Sequence, residues 1–247
     1  MLSKNEVKYI QSLCHKKHRD ELKLFVAEGP KLVDELLSSD FVLEHIYATT
    51  DWIKLRPSVS VPLTEVSEQE LTRISNLTSA NEVVAIARHK YHGAEPVLKK
   101  TITIVLDGIQ DPGNMGTIVR IADWFGVKQI IASEDSVEVY NPKVIQATMG
   151  SICRVDVWYK DLAAWMSAVD VPVYGAMLNG ENVYCLKNIT EGLLVIGNEA
   201  KGIREDIRSR ITHPVTIPGS GGAESLNAAV AAGIIIGSMV NGMRDGH

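Results

Sequence analysis

Cysteine is scarce in this 247-residue chain, and the three present, Cys14, Cys153 and Cys185, lie far apart with no CxxC pair. That spacing argues against a disulfide framework and a zinc site, and it fits a reducing cytoplasm. A membrane-length apolar run is also lacking, since Ala228 to Val240 falls short of the ~20 residues a span needs. The opening MLSKNEVKYIQ has no apolar signal-peptide core, so a soluble, unprocessed protein without a membrane partner is expected. Excess positive charge is missing too. The formal net charge is −5, which argues against indiscriminate nucleic-acid binding and leaves only local RNA contact. Neither a GxGxxG fingerprint nor an internal repeat nor a low-complexity segment occurs.

Against this background the first 31 residues stand out, with seven Lys and Arg against four Asp and Glu. Lys16, Lys17 and Arg19 are the candidate RNA contacts, though such a run is equally the solvated end of a helix. His15 with His18, and His89 with His92, could share helix faces. No Asp, Glu or Cys completes either pair at ligand spacing, so no metal is expected.

The length allows one large or two modest domains. Residues 1–92 read as a compact α/β unit. Its expected elements are a helix from Asn5 to Cys14, strands at Leu24 to Ala27, Leu43 to Ala48 and Val83 to Ala87, a helix from Pro30 to Leu37, and a helix reaching Ile74 whose capping box is Ser67 with Glu70. Residues 93–100 break the periodicity and read as a linker. From 101 to 247 a βαβ progression begins with the continuous apolar strand Ile102 to Leu106, which predicts a largely parallel sheet covered by helices. Ligands collect at the carboxyl ends of such strands.

Three stretches carry chemistry at those ends. Leu106 to Gly126, LDGIQDPGNMGTIVRIADWFG, predicts a Pro- and Gly-rich loop followed by a helix from Thr117 to Phe125. Taken alone, it is an ordinary βα loop whose Arg120 pairs with a carboxylate. Leu193 to Ile203, LLVIGNEAKGI, delivers Gly197, Asn198 and Glu199 after an apolar strand, with Gly202 allowing a turn and Glu199 otherwise favoured by a helix dipole. Ile217 to Gly237, IPGSGGAESLNAAVAAGIIIG, runs from a glycine-rich loop into a helix that Ser225 is expected to cap. Its small residues predict close packing against a sheet or a partner subunit.

Together, Asn114 to Arg120 (NMGTIVR), Ile196 to Ile203 (IGNEAKGI) and Ile217 to Gly233 resemble the three signature motifs of the SpoU/TrmH family, RNA ribose 2′-O-methyltransferases of the SPOUT superfamily. Leu24 to Leu37, LFVAEGPKLVDELL, is similar to the substrate-binding domain of rRNA-directed members. The resemblance implies a mostly parallel α/β sheet with a C-terminal deep trefoil knot, preceded by a small α/β RNA-binding domain. It implies a homodimer using S-adenosylmethionine, with Met177, Leu178, Gly197, Asn198, Gly202, Ile217 and Leu226 at the cofactor. It also implies a catalytic set of Arg120, Asn114, Glu199, Ser225 and Asn227. The family's description of the arginine as a general base conflicts with a guanidinium that stays protonated. Holding the flanking phosphate and lowering the hydroxyl's pKa is the physical alternative. One departure is Gly219, where many members carry methionine after the IP pair, which implies a looser cofactor loop. The expected substrate is rRNA, more specifically 23S rRNA. The alternatives are a tRNA (guanosine) 2′-O-methyltransferase and a non-catalytic RNA-binding assembly factor.

Overall fold

The computed structural model describes residues 2–79, 81–91, 93–187 and 189–244. In chain order the elements are α1 (Lys4–Ser12), α2 (Lys16–Leu22), β1 (Leu24–Glu28), α3 (Pro30–Leu37), β2 (Leu43–Ala48), α4 (Thr50–Lys54), β3 (Leu63–Glu65), α5 (Glu68–Ile74), β4 (Val83–Arg88), β5 (Ile102–Asp107) and α6 (Pro112–Trp124). There follow β6 (Gln129–Ser133), α7 (Pro142–Thr148), β7 (Asp156–Lys160), α8 (Leu162–Met166), β8 (Val173–Asn182), β9 (Gly192–Gly197), α9 (Glu205–Arg208), β10 (His213–Thr216) and α10 (Ala228–Arg244).

Two compact units result, and the division is not a single cut in the chain. Residues 1–91 and 138–153 form one unit, and residues 92–137 and 154–247 form the other. Segment 138–153, which carries α7 and falls within the βαβ progression expected from 101 to 247, thus clusters with the N-terminal unit. Within that unit the strands run in the order β1-β4-β2-β3, with β4 antiparallel to both neighbours and β2 parallel to β3. The Ser67 and Glu70 capping box forms as expected, each side chain meeting the other residue's backbone N–H. Segment 138–153 is tied in by rings and charge: Tyr140 stacks on His89 with centroids 3.9 Å apart, and Arg19 pairs with Glu138.

The second unit is built on a six-stranded sheet in the order β10-β8-β9-β5-β6-β7, parallel throughout. All six residues of β5 are buried, as a strand covered on both faces must be. Val105, Ile131, Leu193 and Val195 join Leu162 and Met166 of α8 in one apolar cluster. The sequence expectation of a linker needs adjustment at 93–100. That stretch lies along the second unit, where Val97 exchanges hydrogen bonds with the Gln129 side chain and Glu95 pairs with Lys160.

Strands β6 and β7 extend the sheet to one side of β5, while β9, β8 and β10 lie on the other. The order of the strands therefore reverses beside β5, the kind of place where α/β sheets open a crevice at their carboxyl ends. There β5 delivers Asp107 and Gly108, and β9 delivers Gly197 and Asn198.

Candidate active site

Helix α6 begins earlier than the sequence suggested, at Pro112 rather than Thr117. Asp111 caps it by accepting from the Asn114 amide at 2.8 Å, and Pro112 occupies a first-turn position where its missing N–H costs nothing. Asn114 consequently sits inside the helix and is buried, at 8% exposure. Its side-chain amide donates to Glu199 Oε1 at 2.7 Å, and its carbonyl oxygen accepts from Asn227 Nδ2 at 2.8 Å. Three of the five expected catalytic residues, one from each motif, thus form a single hydrogen-bonded chain.

Asn227 does a second job that the sequence assigned to Ser225. Helix α10 starts at Ala228, and Asn227 Oδ1 accepts from the amides of Ala229 and Val230 at 2.9 and 3.2 Å. Asn227 is therefore the cap. Ser225 lies outside the helix, exposed, in a run of exposed residues from 218 to 227. The packing expectation for α10 also changes. An added Cβ at Gly237 would lie 3.2 Å from the Phe125 ring, and one at Gly233 would lie 3.4 Å from Ile121. The small residues thus admit α6 of the same chain.

Arg120 does not join the chain of amides. It is exposed, on the stripe of α6 that also carries Thr117 and Trp124, and it has no hydrogen bond or ion pair to any described residue. The expectation of an ordinary loop arginine paired with a carboxylate does not hold. Glu199 likewise is no helix-start carboxylate, since α9 begins only at Glu205 and Glu199 sits in a turn closed by the Asn198–Gly202 bridge. Gly202 adopts φ +69° in that turn, a conformation suited to glycine.

The same turn is clamped to the end of β5 in two ways. Asn198 Nδ2 donates to the Gly108 carbonyl at 2.7 Å, while its Oδ1 accepts from the Ala200 and Lys201 amides, both at 3.0 Å. Asp107, 1% exposed, accepts from Arg204 N and Nε at 2.7 and 2.6 Å. Sequence reasoning missed Asp107 and Arg204. Their only signal was an acidic residue ending an apolar strand, and nothing local connects it to an arginine so far along the chain.

The remaining expected cofactor residues differ in setting. The pairing of β8 with β9 ends at Gly175 and Val195, and Met177 just beyond it packs against the apolar cluster that holds Val195 and Ile203. Gly197 has no room for a side chain, because a Cβ there would fall 2.3 Å from the Gly202 carbonyl carbon. Leu178 is 74% exposed and its carbonyl accepts from Thr216 Oγ1 at 3.0 Å, which fixes it beside Ile217. Leu226 is 49% exposed. Around Gly219, Gly221 and Gly222 an added Cβ would meet open space.

The RNA-contact set requires one correction. Lys16 and Lys17 are exposed, but Arg19 is 2% exposed, with Nε and NH2 on Glu138 at 2.7 and 3.1 Å and NH1 on the Leu13 carbonyl at 2.8 Å. Its guanidinium is committed to the fold and does not reach a phosphate. His15 and His18 meet edge to face, with Glu21 3.5 Å from His18, and His92 of the other histidine pair lies outside the described residues. No helix among the described residues is long and apolar enough to cross a membrane, and no group of three or more potential metal ligands occurs among them.

Comparison with known proteins gives two successive matches along the chain, the second of which runs through segment 138–153. Residues 101–237 match the SpoU rRNA Methylase family, and residues 4–85 match the MRM3-like substrate binding domain. The 23S rRNA (guanosine(2553)-2'-O)-methyltransferase RlmP of Bacillus subtilis (strain 168) is 27% identical over 240 residues, covering 95% of this chain and 96% of that protein. A protein from Porphyromonas gingivalis assigned to the TrmH family of RNA methyltransferases is 37% identical in structural alignment, with a TM-score of 0.86 over 97% of this chain and 98% of that one. The AdoMet-bound rRNA methyltransferase from Sinorhizobium meliloti is 28% identical, with a TM-score of 0.86 over 98% and 96%.

Proposed function

We infer the activity from one premise: the chain belongs to the SpoU rRNA Methylase family. It is an S-adenosylmethionine-dependent RNA methyltransferase that acts on a ribose 2′-hydroxyl, and the substrate we propose is 23S rRNA. The observation that carries this reading is the Glu199–Asn114–Asn227 chain at the carboxyl ends of the strands, with Arg120 exposed and unpaired on the same helix as Asn114. The rRNA assignment is supported by a relative of matching length, the Bacillus subtilis 23S rRNA enzyme.

The residues at the sheet edge suit the cofactor. Gly197 lets the Gly202 turn close tightly over the end of β9, Met177 and Ile217 are partly buried, and Leu178 and Leu226 offer exposed apolar surface to an adenine. Bound there, S-adenosylmethionine supplies a methyl group already activated on a sulfonium. The chain's own task is then to orient the hydroxyl and manage its proton. Arg120 is the proposed contact for the RNA. Its fork of N–H donors can hold a phosphate and lower the pKa of the neighbouring hydroxyl without itself losing a proton. Asn114 holds Glu199 and Asn227 in register, so that the turn after β9 and the start of α10 keep a fixed distance. Ser225, exposed beside them, is a proposed ribose contact, and Lys16 and Lys17 are proposed phosphate contacts.

Finer features of the fold belong to the same proposal. A C-terminal trefoil knot is supported by the three family motifs and by the out-of-sequence order of β10, β8 and β9 beside β5. A homodimer is supported by the surface shared by α6 and α10. There Trp124 is 84% exposed, Val230 is 51% exposed, and a cavity of about 180 Å³ is bordered by Trp124, Phe125, Gly237, Val240 and Asn241. An exposed tryptophan beside an apolar hollow is a common mark of an interface. The proposed setting is the cytoplasm, which suits three free cysteines.

The deciding experiment is methyl transfer from labelled S-adenosylmethionine to total rRNA and total tRNA from a strain lacking the gene. Label in 23S rRNA, recovered as an alkali-resistant 2′-O-methylated linkage, is the expected result. Label confined to tRNA would overturn the substrate, and cofactor-independent RNA binding without transfer would overturn the activity.

A further inference from the structure

A second cavity, of about 310 Å³, opens in the first unit where α7 packs on β1. Its size falls at the lower end of the ~300–1,000 Å³ typical of small-ligand sites. Val26, Leu77 and Pro142 give it apolar walls, while Glu28, Gln146 and Lys143 supply polar groups.

The walls are fixed before anything binds. Glu28, 5% exposed, accepts from the Asn76 amide at 2.9 Å and from Asn76 Nδ2 at 3.0 Å, and also from the Ser75 hydroxyl. These bonds hold the turn that follows α5. On the other side, the Arg19–Glu138 pair and the Tyr140–His89 stack hold the start of the α7 segment. A preformed site of this kind loses little conformational freedom on binding.

Two groups at the cavity remain unused by the fold. The Gln146 amide and the Lys143 ammonium have no hydrogen-bond or ion-pair partner among the described residues, and Lys143 is exposed. Further positive charge lies near the same turn along the chain: among the described residues neither Arg73, two positions before Ser75, nor Lys16, two positions after Cys14, has an ion-pair partner, both are exposed, and the Cys14 thiol donates to Asn76 Oδ1. Apolar walls, a free amide edge and the Lys143 ammonium match the three parts of a nucleotide: its base, its base edge and its phosphate.

We propose that this cavity receives one unpaired nucleotide of the RNA substrate, with the base between Leu77 and Pro142, its edge against Gln146 and Glu28, and its phosphate at Lys143. The inference rests on the RNA methyltransferase reading above and adds where that RNA is recognised away from the reacting ribose. Unstacked nucleotides expose the edges that proteins read in RNA, and an excursion of this sort would select a loop or bulge over a regular helix.

The test uses full-length protein and a 23S rRNA transcript at fixed salt, since phosphate contacts weaken steeply as salt rises. Gln146→Ala and Lys143→Ala, together with the cavity-filling Ala147→Trp, are compared with wild type for RNA affinity, KM for RNA, kcat, and S-adenosylmethionine affinity by calorimetry. Each variant is expected to weaken RNA binding and raise KM about tenfold, with kcat and cofactor affinity unchanged. Irradiating a complex with a 4-thiouridine-substituted transcript should cross-link the peptide that contains residues 142–147. Unaltered RNA affinity in both alanine variants, or cross-links confined to other peptides, would overturn the proposal. Absence of methyl transfer by the wild type would instead sink the activity, while the binding and cross-linking results would still decide the cavity's role.

Discussion

Asn227 offers the sharpest test of the site, because its two ends do different work. Oδ1 accepts from the amides of Ala229 and Val230 and caps the 17-residue helix α10, while Nδ2 donates to Asn114 at 2.8 Å. Asn227→Ala removes both. Loss of the cap costs about 1 kcal/mol, and loss of the second bond, which leaves the buried Asn114 oxygen short of a donor, costs about 1–2 kcal/mol more. The sum corresponds to a fall in Tm of roughly 4–12 °C for a chain of this size. Asn227→Asp separates the two roles. A carboxylate still accepts from the helix amides, and its charge at the N-terminus of α10 contributes about 0.3–1 kcal/mol, but it cannot donate to Asn114. Because the lost bond to Asn114, about 1–2 kcal/mol, outweighs that gain, Asn227→Asp should lose stability but less than Asn227→Ala, while kcat falls roughly 10- to 100-fold through lost positioning. Thermal unfolding beside single-turnover methyl transfer reads both quantities. An aspartate variant as active as wild type would refute the role of the Asn227–Asn114 bond, and an alanine variant of unchanged Tm would refute the capping.

Other expectations follow from the same geometry. Arg120→Ala should lower kcat by roughly 10²–10³ while changing stability by less than about 0.5 kcal/mol, because the side chain is exposed and unpaired; Arg120→Lys should recover only part of the rate, as an ammonium lacks the guanidinium fork. In Gly197→Ala the new methyl would fall 2.3 and 2.4 Å from the Gly202 and Ile203 backbone. Calorimetry should accordingly show S-adenosylmethionine affinity reduced by about tenfold or more. His89 has its pKa lowered from 6.5 to about 4, chiefly by burial and then by Lys23, and its buried Nε2 has no hydrogen-bond partner among the described residues. The folded protein holds this ring neutral down to about pH 4 while the unfolded chain protonates it near pH 6.5, so stability is lost as pH falls through that window. Denaturant titrations at several pH values should show a shallower acid loss in His89→Phe than in wild type.

Much of the local structure was legible in the chain. The Pro30 to Leu37 helix, the Leu43 to Ala48 strand and the Ser67–Glu70 box follow from an N1 proline, an apolar run and a capping pair, all signals spread over a few residues. The three motifs were legible only together, through their resemblance to the SpoU/TrmH signatures. Each one alone also reads as an ordinary βα loop, a helix-start carboxylate or a helix cap. Boundaries decided by a single competing cap were not legible: Asp111 drew α6 back to Pro112, and Asn227 displaced Ser225.

What the sequence by itself determined is the type of most elements, though not of α2, α4, β3 or β10, the parallel character of the second sheet, and the residues that arrive at its carboxyl edge, because periodicity and turn chemistry are local. Tertiary structure decided which of those residues meet. Asn114 finds Glu199 and Asn227 across separations of 85 and 113 residues, Asp107 finds Arg204 across 97, and Arg19 leaves the basic surface because Glu138, 119 residues away, is folded onto it. The local pattern around Arg19 is that of any solvated helix end. Only the fold supplies the distant carboxylate that compensates its buried charge.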